Sequence, residues 1–91
     1  MSRKLVVTPR AERDLSGIRD HIATDSPRAA ERFVAALRAD LRKLIPFPLM
    51  AQAVGGRPRF RRLPYGAYVI FYEVTDAAVL IRAVAHSATL K

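Results

Sequence analysis

The hydrophobic period of this chain changes once along its length, and that change dictates the class of fold. From Ala11 to Ile45 the apolar residues recur at helical spacing, and from Arg59 onward they recur every second residue. Between the two regimes stand Pro46, Pro48, Gly55, Gly56 and Pro58, so residues 46–58 read as a loop. The helical half holds two segments. Thr8 is placed as the N-cap of the first, with Pro9 at its first helical position, where the missing N–H costs nothing. Ala11, Leu15, Ile18 and Ile22 fall on one face, Gly17 weakens the helix, and the spacing predicts an end before Asp25-Ser26-Pro27. Ser26-Pro27 repeats the start signal. The second stripe is Ala30, Phe33, Val34, Leu37, Leu41, Leu44 and Ile45, and Pro46 and Pro48 terminate it. Two helices joined by so short a link form an antiparallel hairpin.

The strand half is read the same way. Lys4–Val7 is a short strand before the first helix, and Arg59–Leu63 is a strand after the loop. Pro64-Tyr65-Gly66 turns into Ala67–Val74 (AYVIFYEV), which is apolar on both faces and therefore central. Thr75-Asp76 turns again, and Val79–His86 is the last strand. The order is β-α-α-β-β-β. The expected fold is α+β: an antiparallel sheet whose last three strands form a meander, the helical hairpin packed on one face, and the first strand added at one edge. Residues 1–91 are expected to form one domain. A chain of this length buries only about 60–65% of the surface its unfolded form exposes. Its core is thin, and a partner can supply part of its stability.

Composition excludes several classes. There is no cysteine, hence no disulfide and no thiolate metal site, and the two histidines, His21 and His86, are far apart in sequence. No metal or cofactor is expected. No apolar run approaches the ~18 residues of a membrane span. Leu5–Val7 is too short for the core of a signal peptide, so the expected location is the cytoplasm. Lys and Arg number 16 against 8 Asp and Glu, and 13 of the 16 are Arg, whose planar fork of donors suits carboxylates and phosphates. The natural partners are acidic: a protein rich in Asp and Glu, or a nucleic acid.

Four stretches, in this order and spacing, together resemble the ParE/RelE family of bacterial toxins, and specifically its ParE branch. They are Ala11-Glu12-Arg13-Asp14-Leu15-Ser16-Gly17-Ile18 running on to His21-Ile22-Ala23; Asp25-Ser26-Pro27-Arg28-Ala29-Ala30-Glu31-Arg32-Phe33; Phe60-Arg61-Arg62-Leu63-Pro64-Tyr65-Gly66-Ala67-Tyr68-Val69-Ile70-Phe71-Tyr72-Glu73-Val74; and Ile81-Arg82-Ala83-Val84-Ala85-His86. The resemblance implies a toxin of a toxin–antitoxin pair, wrapped and silenced by an acidic antitoxin in a hetero-oligomer. ParE-type relatives inhibit DNA gyrase without an enzymatic step. RelE-type relatives are ribosome-dependent mRNA endonucleases. A third possibility is a toxin-like fold kept as an antitoxin-binding or DNA-binding module.

The candidate residues follow from charge and alternation. Arg57, Arg59, Arg61 and Arg62 lie within six residues, as a solvated edge strand or as a docking patch for an anionic partner. Arg82, Val84 and His86 share one face if the alternation is unbroken, which would set Arg82 and His86 on the side of the sheet away from the helices. Arg82 and His86 complete the candidate partner-binding set. In the nuclease alternative Arg61, Arg82 and His86 would be catalytic: cations for the phosphate, and His86 for proton transfer. RelE-like chains usually place a tyrosine or a basic residue just after this histidine and ParE-like chains often a basic tail, whereas here Ser87-Ala88-Thr89-Leu90-Lys91 follows. That segment is a candidate contact for the target. Tyr68 and Tyr72 read as packing residues, and His21 as structural.

Overall fold

A computed structural model describes residues 3–89. Both start signals act as caps. Thr8 is extended, its Oγ1 accepts the Ala11 N–H at 3.3 Å, and α1 runs Pro9–Ala23. The same hydroxyl donates to the Ile81 carbonyl at 2.7 Å, so one side chain both starts the helix and ties it to the sheet. Ser26 Oγ accepts the Ala29 N–H at 3.1 Å and opens α2, Pro27–Leu41, which tightens into a single 3₁₀ turn, Arg42–Leu44. Arg38 of α2 grips Glu12 of α1 with both guanidinium ends, at 2.7 and 3.4 Å.

The strands are β1 (Lys4–Val7), β2 (Gln52–Val54), β3 (Arg57–Tyr65), β4 (Tyr68–Val74) and β5 (Ala78–His86), in the spatial order β1-β5-β4-β3-β2. β2 lies inside the stretch expected to be loop. Val54 pairs with Arg57 across Gly55 and Gly56, whose φ of 57° and 70° are both positive, as a two-residue type I′ hairpin demands. β3 likewise runs past its expected end. Pro64 and Tyr65 are in the strand, Tyr65 pairs with Tyr68, and the turn is Gly66-Ala67, with Gly66 at φ 57°.

The sheet is mixed and not wholly antiparallel, because β1 pairs with β5 in parallel. Counting reversals explains this. The chain turns back three times between β1 and β2 (into α1, into α2, into β2), so β2 opposes β1. Three hairpins then carry it to β5, which must run with β1. β5 is therefore an interior strand, and β1 is the edge that the sequence left open.

One irregularity controls which side chains face the helices. Phe71 pairs with Ala83 but Tyr72 pairs with Ile81, so Arg82 is an extra residue bulged out of β5. Ile81 and Val84 consequently both point into the core. Across the bulge, Asp14 of α1 accepts the Val84 N–H on its Oδ2 at 3.0 Å. The core comprises Ala11, Leu15 and Ile18 of α1, Leu37 and Leu41 of α2, Leu44, and Ile70, Tyr72, Val79, Ile81 and Val84 of the sheet. Phe33 covers the end of this core, packed edge-on against Tyr65 and tilted against Tyr68.

Tyr72 is the largest fully buried side chain, and its hydroxyl donates to the Pro48 carbonyl at 2.7 Å. Burial raises its pKa above the usual phenol value. Among the described residues no buried side-chain polar atom lacks a partner. Tyr72→Phe keeps the ring and removes only the donor, leaving the Pro48 carbonyl short of a partner. A loss of about 1–2 kcal/mol at unchanged m-value is expected in urea unfolding.

Candidate partner-binding surfaces

The arginines of β3 have divided roles. Arg57 lays its guanidinium over the Phe60 ring, 4.5 Å from the centroid. Arg61 is a clasp: Nε donates to the Pro58 carbonyl at 2.8 Å and Nη1 to the Ala51 carbonyl at 2.9 Å, holding the irregular start of β3 and the end of the preceding loop. Arg59 and Arg62 are exposed. Among the described residues none of these four arginines is paired with a carboxylate.

The bulge separates Arg82 from His86, against the expectation that both stand on the open side. Arg82 turns away from the helices and meets Glu73 at 3.7 Å, with the carboxylate largely covered and the guanidinium half exposed. His86, four residues on and with its parity reversed, pairs with Tyr68 and lies edge-on to its ring at 5.3 Å. Together with Gly17, Ile18 and His21 these two rings line a hollow of about 290 Å³ beside α1. The two histidines, far apart in sequence, thus border one hollow, and His21 is exposed on it. His86 Nδ1 accepts the Ala88 N–H at 3.1 Å. Ser87–Thr89 close as a 3₁₀ turn, with the Ser87 N–H donating to Ala67 and Thr89 Oγ1 to the His86 carbonyl. Leu90 and Lys91, the rest of the segment singled out above, lie outside the described residues.

Arg57, Arg61 and Arg82 do meet. With Val54, Phe60 and Phe71 they line a cleft of about 190 Å³. Three arginines beside Phe60, Phe71 and Tyr72 suit a carboxylate or phosphate attached to a flat or apolar body. The nearest carboxylate, Glu73, is committed to Arg82, and the Tyr72 hydroxyl is committed to Pro48. The cleft offers charge and stacking, and neither a histidine nor a carboxylate is among its lining residues. The nuclease set Arg61, Arg82 and His86 is therefore only two-thirds assembled.

A second recess lies at the edge of the sheet. Leu5 and Val7 of β1 with Arg38, Ala39 and Leu41 of α2 and Arg42 of the 3₁₀ turn border a groove of about 220 Å³. One side of β1 is unpaired, so backbone donors and acceptors and an apolar floor coincide there with Arg42, while Arg38 is paired with Glu12. An extended or helical segment mixing apolar and acidic residues fits this chemistry. Among the described residues no helix is long and apolar enough to cross a membrane, and no three His, Cys, Asp or Glu residues converge to hold a metal ion.

Asp14 is the residue whose role composition and spacing did not reveal. An acid at the edge of an apolar helical stripe was the available signal, but its partner is a backbone N–H of β5 beyond the end of β1, which no local residue type announces.

A helical hairpin on a five-stranded mixed sheet of this order is the architecture of the ParE/RelE toxins. The chain superposes with a TM-score of 0.79 on a chain of the chromosomal ParDE toxin–antitoxin system from P. aeruginosa, at 20% identity and covering 92% of this chain and 95% of that one. The TM-score is 0.62 with a chain of the RelBE2 toxin–antitoxin complex from Mycobacterium tuberculosis, at 21% identity over 94% and 99% of the two chains. With YafQ from E. coli it is 0.58, at 12% identity over 97% of each. In sequence the chain is 32% identical over 88 residues to toxin RelE1 of Caulobacter vibrioides, covering 94% of this chain and 95% of that toxin. The model of the ParE toxin of type II toxin–antitoxin systems (parDE) matches residues 5–90, and the chain belongs to that family.

The division among the arginines is measurable. Arg61→Ala strips two backbone carbonyls of their donor and is expected to cost about 1–2 kcal/mol. Arg59→Ala and Arg62→Ala should stay within ~0.5 kcal/mol. Chemical denaturation of the three single variants checks the order.

Proposed function

We propose that this toxin acts without an enzymatic step, by binding and inhibiting DNA gyrase, and that an acidic antitoxin holds it silent in the cytoplasm. The observation that carries the non-enzymatic reading is the position of His86. The His86 imidazole sits beside α1, on the same hollow as His21 and with its Nδ1 engaged by Ala88, while the arginine cleft opens elsewhere on the sheet. The choice of gyrase follows the ParE family match. An antitoxin partner is supported by relatives that come from ParDE, RelBE2 and DinJ–YafQ toxin–antitoxin systems. The groove between β1 and α2 is the surface best fitted to it, and the unpaired arginines of β3 attract it over distance.

The ribosome-dependent nuclease is the competing reading, favoured by the sequence similarity to toxin RelE1. Paired assays separate the two: inhibition of gyrase supercoiling, and cleavage of ribosome-bound mRNA. Supercoiling is expected to be inhibited and mRNA to stay intact. His86→Ala should keep most of the growth arrest seen without antitoxin. A nuclease dependent on His86 would instead lose 10²–10⁴-fold in rate, roughly the whole effect. A chain that arrests no growth at all would be a binding module.

Arg59 and Arg62 carry no structural duty, so reversing both to Glu tests steering alone. The double variant should fold normally, associate with the antitoxin about tenfold more slowly at low salt, and show a flatter salt dependence. Stopped-flow association at two ionic strengths reads this, and unchanged kinetics would return these arginines to a merely solubilising role.

A further inference from the structure

The turn between α2 and β2 carries the most exposed large apolar side chains among the described residues: Phe47 at 64%, Leu49 at 60% and Met50 at 56%. Single exposed apolar residues are ordinary, but three within four positions form a patch that must be explained. Collapse onto the core is prevented by how the backbone is held. The Phe47 N–H donates to Lys43 and the Met50 N–H to Phe47, closing the turn. The buried Tyr72 hydroxyl donates to the Pro48 carbonyl at 2.7 Å, and Arg61 Nη1 to the Ala51 carbonyl at 2.9 Å. Two side chains rooted in the sheet thus pin the backbone inside and just after the turn, and Pro46 and Pro48 stiffen it. The result is a convex, fixed knob with its apolar groups outward.

Along the chain flanking the knob the charge has one sign, and the acid that precedes it, Asp40, is paired with Lys43. No Asp or Glu occurs between Asp40 and Glu73, a stretch that holds Arg42, Lys43, Arg57, Arg59, Arg61 and Arg62. We infer that Phe47, Leu49 and Met50 form the contact by which the toxin docks on its target, and that the target offers an apolar pocket rimmed by carboxylates on a folded protein. A second copy of this chain does not fit, because the same cations would face one another. An anionic bilayer supplies charge and apolar depth, but it needs no fixed shape, and here two buried anchors impose one. The antitoxin groove borders β1, whereas the knob leads into β2 at the opposite edge of the sheet, and none of Phe47, Leu49 and Met50 lines the groove.

The identity of the target rests on the gyrase reading, and the test keeps the two apart. The triple variant F47S/L49S/M50S is compared with wild type in urea unfolding, antitoxin binding, binding to reconstituted gyrase, growth arrest at matched expression, and co-sedimentation with phosphatidylserine-containing vesicles. The expected result is unchanged unfolding and antitoxin binding, gyrase binding weaker by about 30-fold or more, and loss of growth arrest. A variant that binds gyrase and arrests growth like wild type overturns the inference. So does a parallel loss of antitoxin binding, or a loss of vesicle binding with gyrase binding intact. If the wild type arrests growth without binding gyrase, the gyrase reading fails and growth arrest alone judges the knob: arrest lost in the variant upholds it, arrest kept refutes it. A wild type that arrests no growth overturns both.

Discussion

The carboxylate of Asp14 accepts the backbone N–H of Val84 at 3.0 Å, and with the cap at Thr8 it fixes α1 to the sheet. β1 pairs with β5 only as far as Ile81, so beyond that point the β1 side of β5 has no strand to bond. A buried N–H left unpaired costs about 1–3 kcal/mol. Asp14 supplies the acceptor from α1, beyond the cap at Thr8, which itself bonds the Ile81 carbonyl. Thr8 and Asp14 thus take over from β1 where it ends, and α1 gains two polar anchors on an apolar strand.

This coupling also explains which parts of the molecule were legible in the sequence. The helices were, because Thr8-Pro9 and Ser26-Pro27 are local signals whose physics is complete within four residues. β2 was not, because three residues cannot display a period and Gly55-Gly56 reads equally as loop or as hairpin until the partner strand is known. The site was legible in part. Arg57, Arg61 and Arg82, all singled out by charge, line one cleft. His86 departs from them because alternation was carried through Arg82 without interruption, and Ile81-Arg82-Ala83-Val84 contains no glycine or proline to mark the break. Aromatic packing replaced the expected chemistry there: His86 stands against Tyr68, and Tyr68 against Phe33.

Charge is distributed with similar economy. Three acids of the helices are used internally: Glu12 with Arg38, Asp14 with Arg10 and the Val84 N–H, Asp40 with Lys43. These exposed pairs contribute little stability each, about 0–1 kcal/mol. Their larger effect is to neutralise the helical side while β2 and β3 keep cations alone. At physiological ionic strength a charge is felt over about 8 Å, so a field confined to one region acts only on a partner already near it. Such a field orients an encounter; it does not by itself determine which partner stays.

Residence is decided by shaped apolar contact, and here the core and the surface are connected. Tyr72 belongs to the buried core, yet its hydroxyl ends on the backbone of the exposed 47–50 turn. A toxin that works by occupancy inhibits only while it stays bound, so its effect tracks dissociation, whereas a nuclease needs contact only for each turnover. Order in the contact loop lowers the entropy lost on binding and so prolongs occupancy. For an occupancy mechanism it is therefore consistent that a core hydroxyl is spent on holding a surface turn. The thin core of a 91-residue chain bears that cost because the Tyr72 ring remains a full packing element, and only its terminal oxygen reaches outward.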